Sequence, residues 1–360
     1  MVIKLNYKNI KFSSIFILFL ISYAFYSIYL LGQLNLKLNG INILYTYIIL
    51  SFCCPFIFLF LNKKLNNFRN NVTIKNKTSF TIVKVAVCLY LLISSIFVSF
   101  YTIYFESMYF YNKYNVFIIA IILLIPLIIF SKNIIKSTFH LHPINIIIYV
   151  IFFYLFFTNQ HELNYYSLII NDIELNDLFE TIILLMPLIL EPFLLFYLVN
   201  LSKEEITKKK MIGGLILISL TSSLSFLFLG NQFGVLLNYL DFPFLQAWRN
   251  IYINEYIENL DCLNIILFIV NCITRLLLSC SIIINITKIN KQYIPIIFGL
   301  ISLGIGCFFT LNQSVFEQLK MQILTINSVL LLIITAITLY FIIVGGKHEK
   351  QDLKRVNIKR

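Results

Sequence analysis

Thr181-Ile-Ile-Leu-Leu-Met-Pro-Leu-Ile-Leu-Glu-Pro-Phe-Leu-Leu-Phe-Tyr-Leu-Val-Asn-Leu201 carries a single charge, Glu191, ten positions from either end of the run. A helix of about 20 apolar residues matches the hydrocarbon thickness of a bilayer. The stretch therefore reads as a membrane span with a carboxylate near its middle. Comparable apolar runs lie at 12–31, 41–61, 81–105, 114–130, 141–158, 211–233, 262–287, 293–311 and 323–344. With 181–201 they make ten expected spans in an all-α polytopic membrane protein. Composition agrees: 59% of the 360 residues are hydrophobic and 12% charged, with a mean hydropathy of +0.87. Ordinary soluble domains carry roughly a quarter charged residues, so soluble, disordered, fibrous and disulfide-scaffold classes are excluded.

Charge sets the orientation. With the N-terminus cytoplasmic, 22 Lys and Arg fall on the inner side and 4 (Lys37, Lys113, Arg249, Lys320) on the outer, while Lys84 and Arg275 lie within spans. Basic residues concentrate in cytoplasmic loops, so the alternation supports ten spans with both termini inside. The expected organisation is a cytoplasmic N-terminus at 1–11, a membrane domain at 12–344 and a basic cytoplasmic tail at 345–360. The first run is longer than a signal-peptide core and is read as retained. The net charge of +12 is then met by anionic lipid headgroups of the bilayer, and nothing suggests nucleic acid as a partner. Glu106, Glu162, Asp172, Glu174, Asp177, Glu180, Asp241, Glu255, Glu258 and Glu317 are expected on the outer side. Five of these crowd the loop 159–180, which contains no Lys or Arg and offers a docking surface for a basic partner.

Charges inside the membrane are expensive and mark functional sites. Lys84 lies near a span end and can snorkel. Glu191 and Arg275 cannot: Arg275 is 13 residues from both Asp261 and Lys288, about 20 Å of helix each way. Asn271 and Ser279, one turn to either side, extend Arg275 into a polar stripe. Pro187 and Pro192 bracket the segment leading to Glu191, and each removes a backbone donor. A break there is tolerable only where protein or a cavity covers the backbone, as in transporter substrate sites. Gly299, Ser302, Gly304 and Gly306 form a small-residue patch suited to close helix packing. The seven cysteines lack metal-ligand spacing and read as packing residues, so neither a metal nor another cofactor is expected. No Ser/His/Asp set, phosphate-binding glycine loop or paired catalytic carboxylates is present, and the chain is read as a non-enzyme.

Residues Asp241-Phe-Pro-Phe-Leu-Gln-Ala-Trp-Arg-Asn-Ile-Tyr-Ile-Asn-Glu-Tyr-Ile-Glu-Asn-Leu-Asp-Cys-Leu263 resemble a signature region of the spore-germination B-subunit family, the permease-like membrane subunits of nutrient-germinant receptors. Phe242-Pro243, Arg249-Asn250-Ile251, Tyr256 to Asp261 and the mid-span Arg275 fill the places of that family's motifs. Glu191 matches its aromatic-Glu motif in span 6, and Leu311-Asn312 is similar to its Pro-Asn after span 9. The chain departs from the pattern at Asn259 (usually Arg), Phe268 (usually Trp), Ile189 and Leu190 (usually Gly), and Ser22-Tyr23-Ala24 (usually glycine-rich). The family resembles the amino-acid/polyamine/organocation transporters, which implies a five-plus-five inverted repeat. The resemblance implies a subunit in the spore inner membrane that binds a small germinant, for instance an amino acid. It also implies two partners, a membrane-anchored A-type subunit and a C-type lipoprotein. The ligand is expected among Ser22, Tyr23 and Tyr26 of span 1, Tyr90 of span 3, Pro187, Glu191 and Pro192 of span 6, and Asn271 and Arg275 of span 8. Alternatives are an amino-acid or ion-coupled permease and, second, a membrane-embedded enzyme, which would need a catalytic constellation the sequence does not display.

Overall fold

The structure is a computed structural model that describes residues 12–34, 77–109, 115–158, 182, 185–187, 189–198, 212–217, 220, 223–224, 233, 261–287, 289 and 292–358. The expected span 41–61, the acidic loop 159–180 and most of 211–233 lie outside the described residues, as does the signature 241–260. Nine α-helices are named here: α1 (Phe12–Leu34), α2 (Lys77–Tyr109), α3 (Asn115–Phe130), α4 (Ile134–His140), α5 (His142–Thr158), α6 (Leu195–Leu198), α7 (Asp261–Thr287), α8 (Tyr293–Leu311) and α9 (Gln313–Ile358). No strand occurs among the described residues. Five segments are long and apolar enough to cross a membrane by length and composition: Thr81–Met108, Asn115–His140, Ile265–Thr287, Tyr293–Leu311 and Gln313–Tyr340.

The outer helices split into a buried and an exposed stripe, both hydrophobic, whereas α1 and α7 are mostly buried. On α3, Val116, Ile119, Leu123 and Leu127 face inward at helical spacing. Phe117, Ile118, Ile121, Ile122, Ile125, Ile128 and Ile129 face out. Polar side chains are drawn to the interior instead: Ser94, Ser95, Ser99, Asn145, Thr274, Ser279, Ser281 and Asn327 are all buried. Apolar surface outside and polar groups within is the arrangement that lipid favours, because an interior partner is then the best one a polar group has.

The long helix α2 packs on α7, α8 and α9, and α7 also contacts α1, α3, α4, α5 and α6. The α2–α7 contact is antiparallel. Ser95 donates to Ser279 at 3.1 Å, Ser99 lies 3.9 Å from Cys272, and Phe105 stacks on Phe268 with ring centroids 4.6 Å apart. On its other side α7 is tied to α4 and α5: Ser281 donates to Thr138 at 3.1 Å, and Thr274 to Asn145 at 3.0 Å. Phe268, which stands where the resembled family has Trp, thus fills an aromatic stack.

Two expectations are corrected. Residues 131–140 are not a loop but a 3-10 turn at Ser131–Asn133 followed by α4. Lys132, Lys136 and His140 recur every fourth residue on the exposed face, while Ile134, Ile135, Thr138 and Phe139 are buried. The polar count suggests a loop, whereas the period specifies an amphipathic helix. The connection 312–322 likewise shrinks to one residue. Asn312 leaves helical geometry at φ −125°, its Nδ2 donates to the Phe308 carbonyl at 3.0 Å, and α9 starts at Gln313. Phe316 then packs on Phe97 and Phe309, and Lys320, expected outside, is buried and paired with Glu317 at 3.5 Å. Glu106, near the end of α2, is buried at 1% exposed.

The small-residue patch divides. A Cβ on Gly306 would approach the Phe100 backbone nitrogen to 3.1 Å, and one on Gly299 would strike Leu127, so both permit close packing. Ser302 is buried, and Gly304 faces open space.

Candidate functional site

Span 6 changes geometry where the prolines require it. Residues 185–187 and 189–190 are helical, and Glu191–Leu194 tighten into a 3-10 helix before α6 resumes. Pro192 has no N–H to continue the α ladder, so the chain changes winding at Glu191 without unwinding fully. Glu191, Pro192, Phe193 and Leu194 are all buried. Below the turn, Asn285 of α7 donates its Nδ2 to the Tyr197 carbonyl, and the Tyr197 hydroxyl meets that of Thr338 at 2.7 Å.

Around Glu191 the bundle gathers side chains from widely separated sequence. Arg275 Nη1 of α7 donates to Glu191 Oε1, an ion pair in which neither side chain is more than 2% exposed. Tyr90 of α2 donates to Glu191 Oε2 at 2.9 Å, so both carboxylate oxygens are engaged. The Arg275 guanidinium carbon lies 4.4 Å from the ring centroid of Tyr26 on α1, a cation–π contact. Asn327 of α9 donates its Nδ2 to the Tyr26 hydroxyl at 3.1 Å. A buried pair is tolerable only when further hydrogen bonds satisfy its remaining donors and lone pairs. Here each carboxylate oxygen has a donor, whereas two guanidinium nitrogens have no partner among the described residues.

Among the described residues, several buried polar atoms in and next to this cluster lack a hydrogen-bond partner: Arg275 Nε and Nη2, both amide atoms of Asn271, Ser22 Oγ and Asn327 Oδ1. Asn271 stands one turn from Arg275 on α7, and Ser22 one turn from Tyr26 on α1. Buried polar groups are nearly always paired, and each unmet one costs about 1–3 kcal/mol. Such a set suits a polar solute or water.

Of the nine residues singled out from sequence, Tyr26, Tyr90, Glu191 and Arg275 meet directly. Ser22 and Asn271 adjoin them on their helices, and Pro192 builds the turn. Tyr23 and Pro187 are buried, but the contacts just named do not include them. Asn327 was missed; its signal was an amide inside the apolar run 323–344, near its start. No group of three or more potential metal ligands occurs among the described residues. The chain matches no protein-family model and no curated protein.

Proposed function

We propose that this chain is the polytopic membrane subunit of a spore nutrient-germinant receptor, with ten spans and both termini cytoplasmic. In this reading it binds a small germinant at the Glu191–Arg275 cluster. The observation that carries the solute-binding part is the buried ion pair at a helix-type change, surrounded by unmet polar atoms from α1, α7 and α9. The germination part rests on the resemblance across 241–263 and at Glu191, Arg275 and Asn312. In a five-plus-five arrangement, spans 1 and 6 meet at the centre, which agrees with Tyr26 of α1 reaching the partner of Glu191. Ligand would act by population shift, favouring one packing of the span 6 turn over another. The A-type and lipoprotein C-type subunits complete the proposed receptor, in the spore inner membrane.

A permease is the second reading, favoured by the same turn, since transporters place substrates at interrupted helices. Deleting the gene in the spore-forming host separates the two. The receptor reading expects a deletion strain that stays dormant in nutrient and recovers with the wild-type chain but not with Glu191→Gln. Normal germination of the deletion strain, together with solute uptake by proteoliposomes holding only this chain, would establish the permease instead.

A further inference from the structure

The two unmet guanidinium nitrogens of Arg275 are not an arbitrary pair. Nε and Nη2 form the side-on edge of the guanidinium, the edge that takes a carboxylate through two parallel hydrogen bonds. Glu191 uses the other end of the group, through Nη1. Both Glu191 oxygens are already engaged, Oε1 by Arg275 and Oε2 by Tyr90, and its charge is matched by Arg275. The cluster therefore offers a fork of donors where a first inspection of Glu191 would suggest a site for an ammonium group.

We infer that Arg275 receives the carboxylate of a small zwitterionic ligand on its Nε–Nη2 edge, while Glu191 serves as the internal counter-ion that holds the guanidinium in place. This rests on reading the cluster as a solute site. Charge balance selects the zwitterion. Glu191 and Arg275 cancel, so a ligand that is neutral overall adds no net charge to the bundle interior, whereas a lone anion would leave one. The ligand ammonium then falls to neutral acceptors, for which Asn271 Oδ1, Asn327 Oδ1 and Ser22 Oγ are unmet. Tyr26 helps hold the guanidinium in place, its ring centroid 4.4 Å from the guanidinium carbon.

The test uses the full-length chain in lipid nanodiscs, titrated with glycine, L-serine and L-leucine, each beside its own carboxamide. The amide keeps the amine and the shape but cannot accept the fork as a carboxylate does. Hydrogen bonds to charged groups are worth roughly 1.5–3 kcal/mol, so the amide is expected to bind about tenfold to a hundredfold more weakly. R275K keeps a positive charge opposite Glu191 but has no side-on edge, and the preference for acid over amide should vanish. Equal binding of acid and amide, no binding by any of the three acids, or a preference that survives in R275K would overturn the inference. If R275K does not fold, the acid–amide comparison on the wild-type chain still decides. A deletion strain that germinates normally would remove the receptor reading and leave this inference standing. The reverse result, dormancy in the deletion strain with acid and amide bound equally, would remove only the inference.

Discussion

Truncating either partner of the Glu191–Arg275 pair strands the other in the interior, at a cost of about 3–5 kcal/mol. Glu191→Gln and Arg275→Gln should each sharply lower the amount of folded protein in the membrane. The double variant strands neither charge, so its thermal transition should lie above the sum of the single losses. A double-mutant cycle read by fluorescence-detected thermal unfolding checks this, and strictly additive losses would mean that the two groups are not coupled. At this scale the sequence was already informative. Two charges deep in separate apolar runs had no other partner at their depth, so their meeting could be expected from cost alone. Asn327 illustrates the opposite case, because nothing in the local sequence shows that its amide reaches the Tyr26 hydroxyl.

Among elements, α8 is positioned by glycine. Gly306 lets α8 come within reach of the α2 backbone at Phe100, whereas Gly304 faces open space. Gly306→Val should separate the two helices and cost about 1–3 kcal/mol as overpacking. Gly304→Ala should be neutral or stabilising by up to about 1 kcal/mol, because an exposed helical glycine gives up conformational freedom without a packing return. Thermal unfolding of the two variants checks this pair, with a drop for Gly306→Val and none for Gly304→Ala. Were Gly304→Ala to destabilise as much as Gly306→Val, the close approach at Phe100 would not be what selects glycine. The sequence marked the small-residue patch as a unit, and the structure divided it by facing. Helix phase, which depends on the neighbours, decided which glycine mattered. The same holds for α4, whose four-residue charge period was visible while its burial partners on α7 were not.

For the whole molecule, the charge pattern predicts the orientation. Reporter fusions should give a cytoplasmic signal at Asn70 and Lys350 and an extracytoplasmic one at Asn171. A cytoplasmic Asn171 would invert or break the ten-span reading. The shortened connection at Asn312 does not disturb the alternation. Lys320 then lies on α9, buried and paired with Glu317. The exposed isoleucines of α3 and the buried serines of α2 and α7 are the arrangement expected of a surface that meets lipid.

What the sequence determined alone is what composition and period control: helices throughout the described chain, their membrane length, and the presence of two costly charges at mid-depth. These are local properties, fixed by transfer free energy and backbone donors within about 20 residues. Only the tertiary structure decided that Asn327 joins Tyr26, Tyr90, Glu191 and Arg275, that Glu191 has both oxygens occupied, and that the side-on edge of Arg275 stays unmet among the described residues. Those facts depend on helix rotation and neighbour choice, which arise from packing between segments as far apart as Tyr26 and Asn327. No local pattern of apolar residues encodes them.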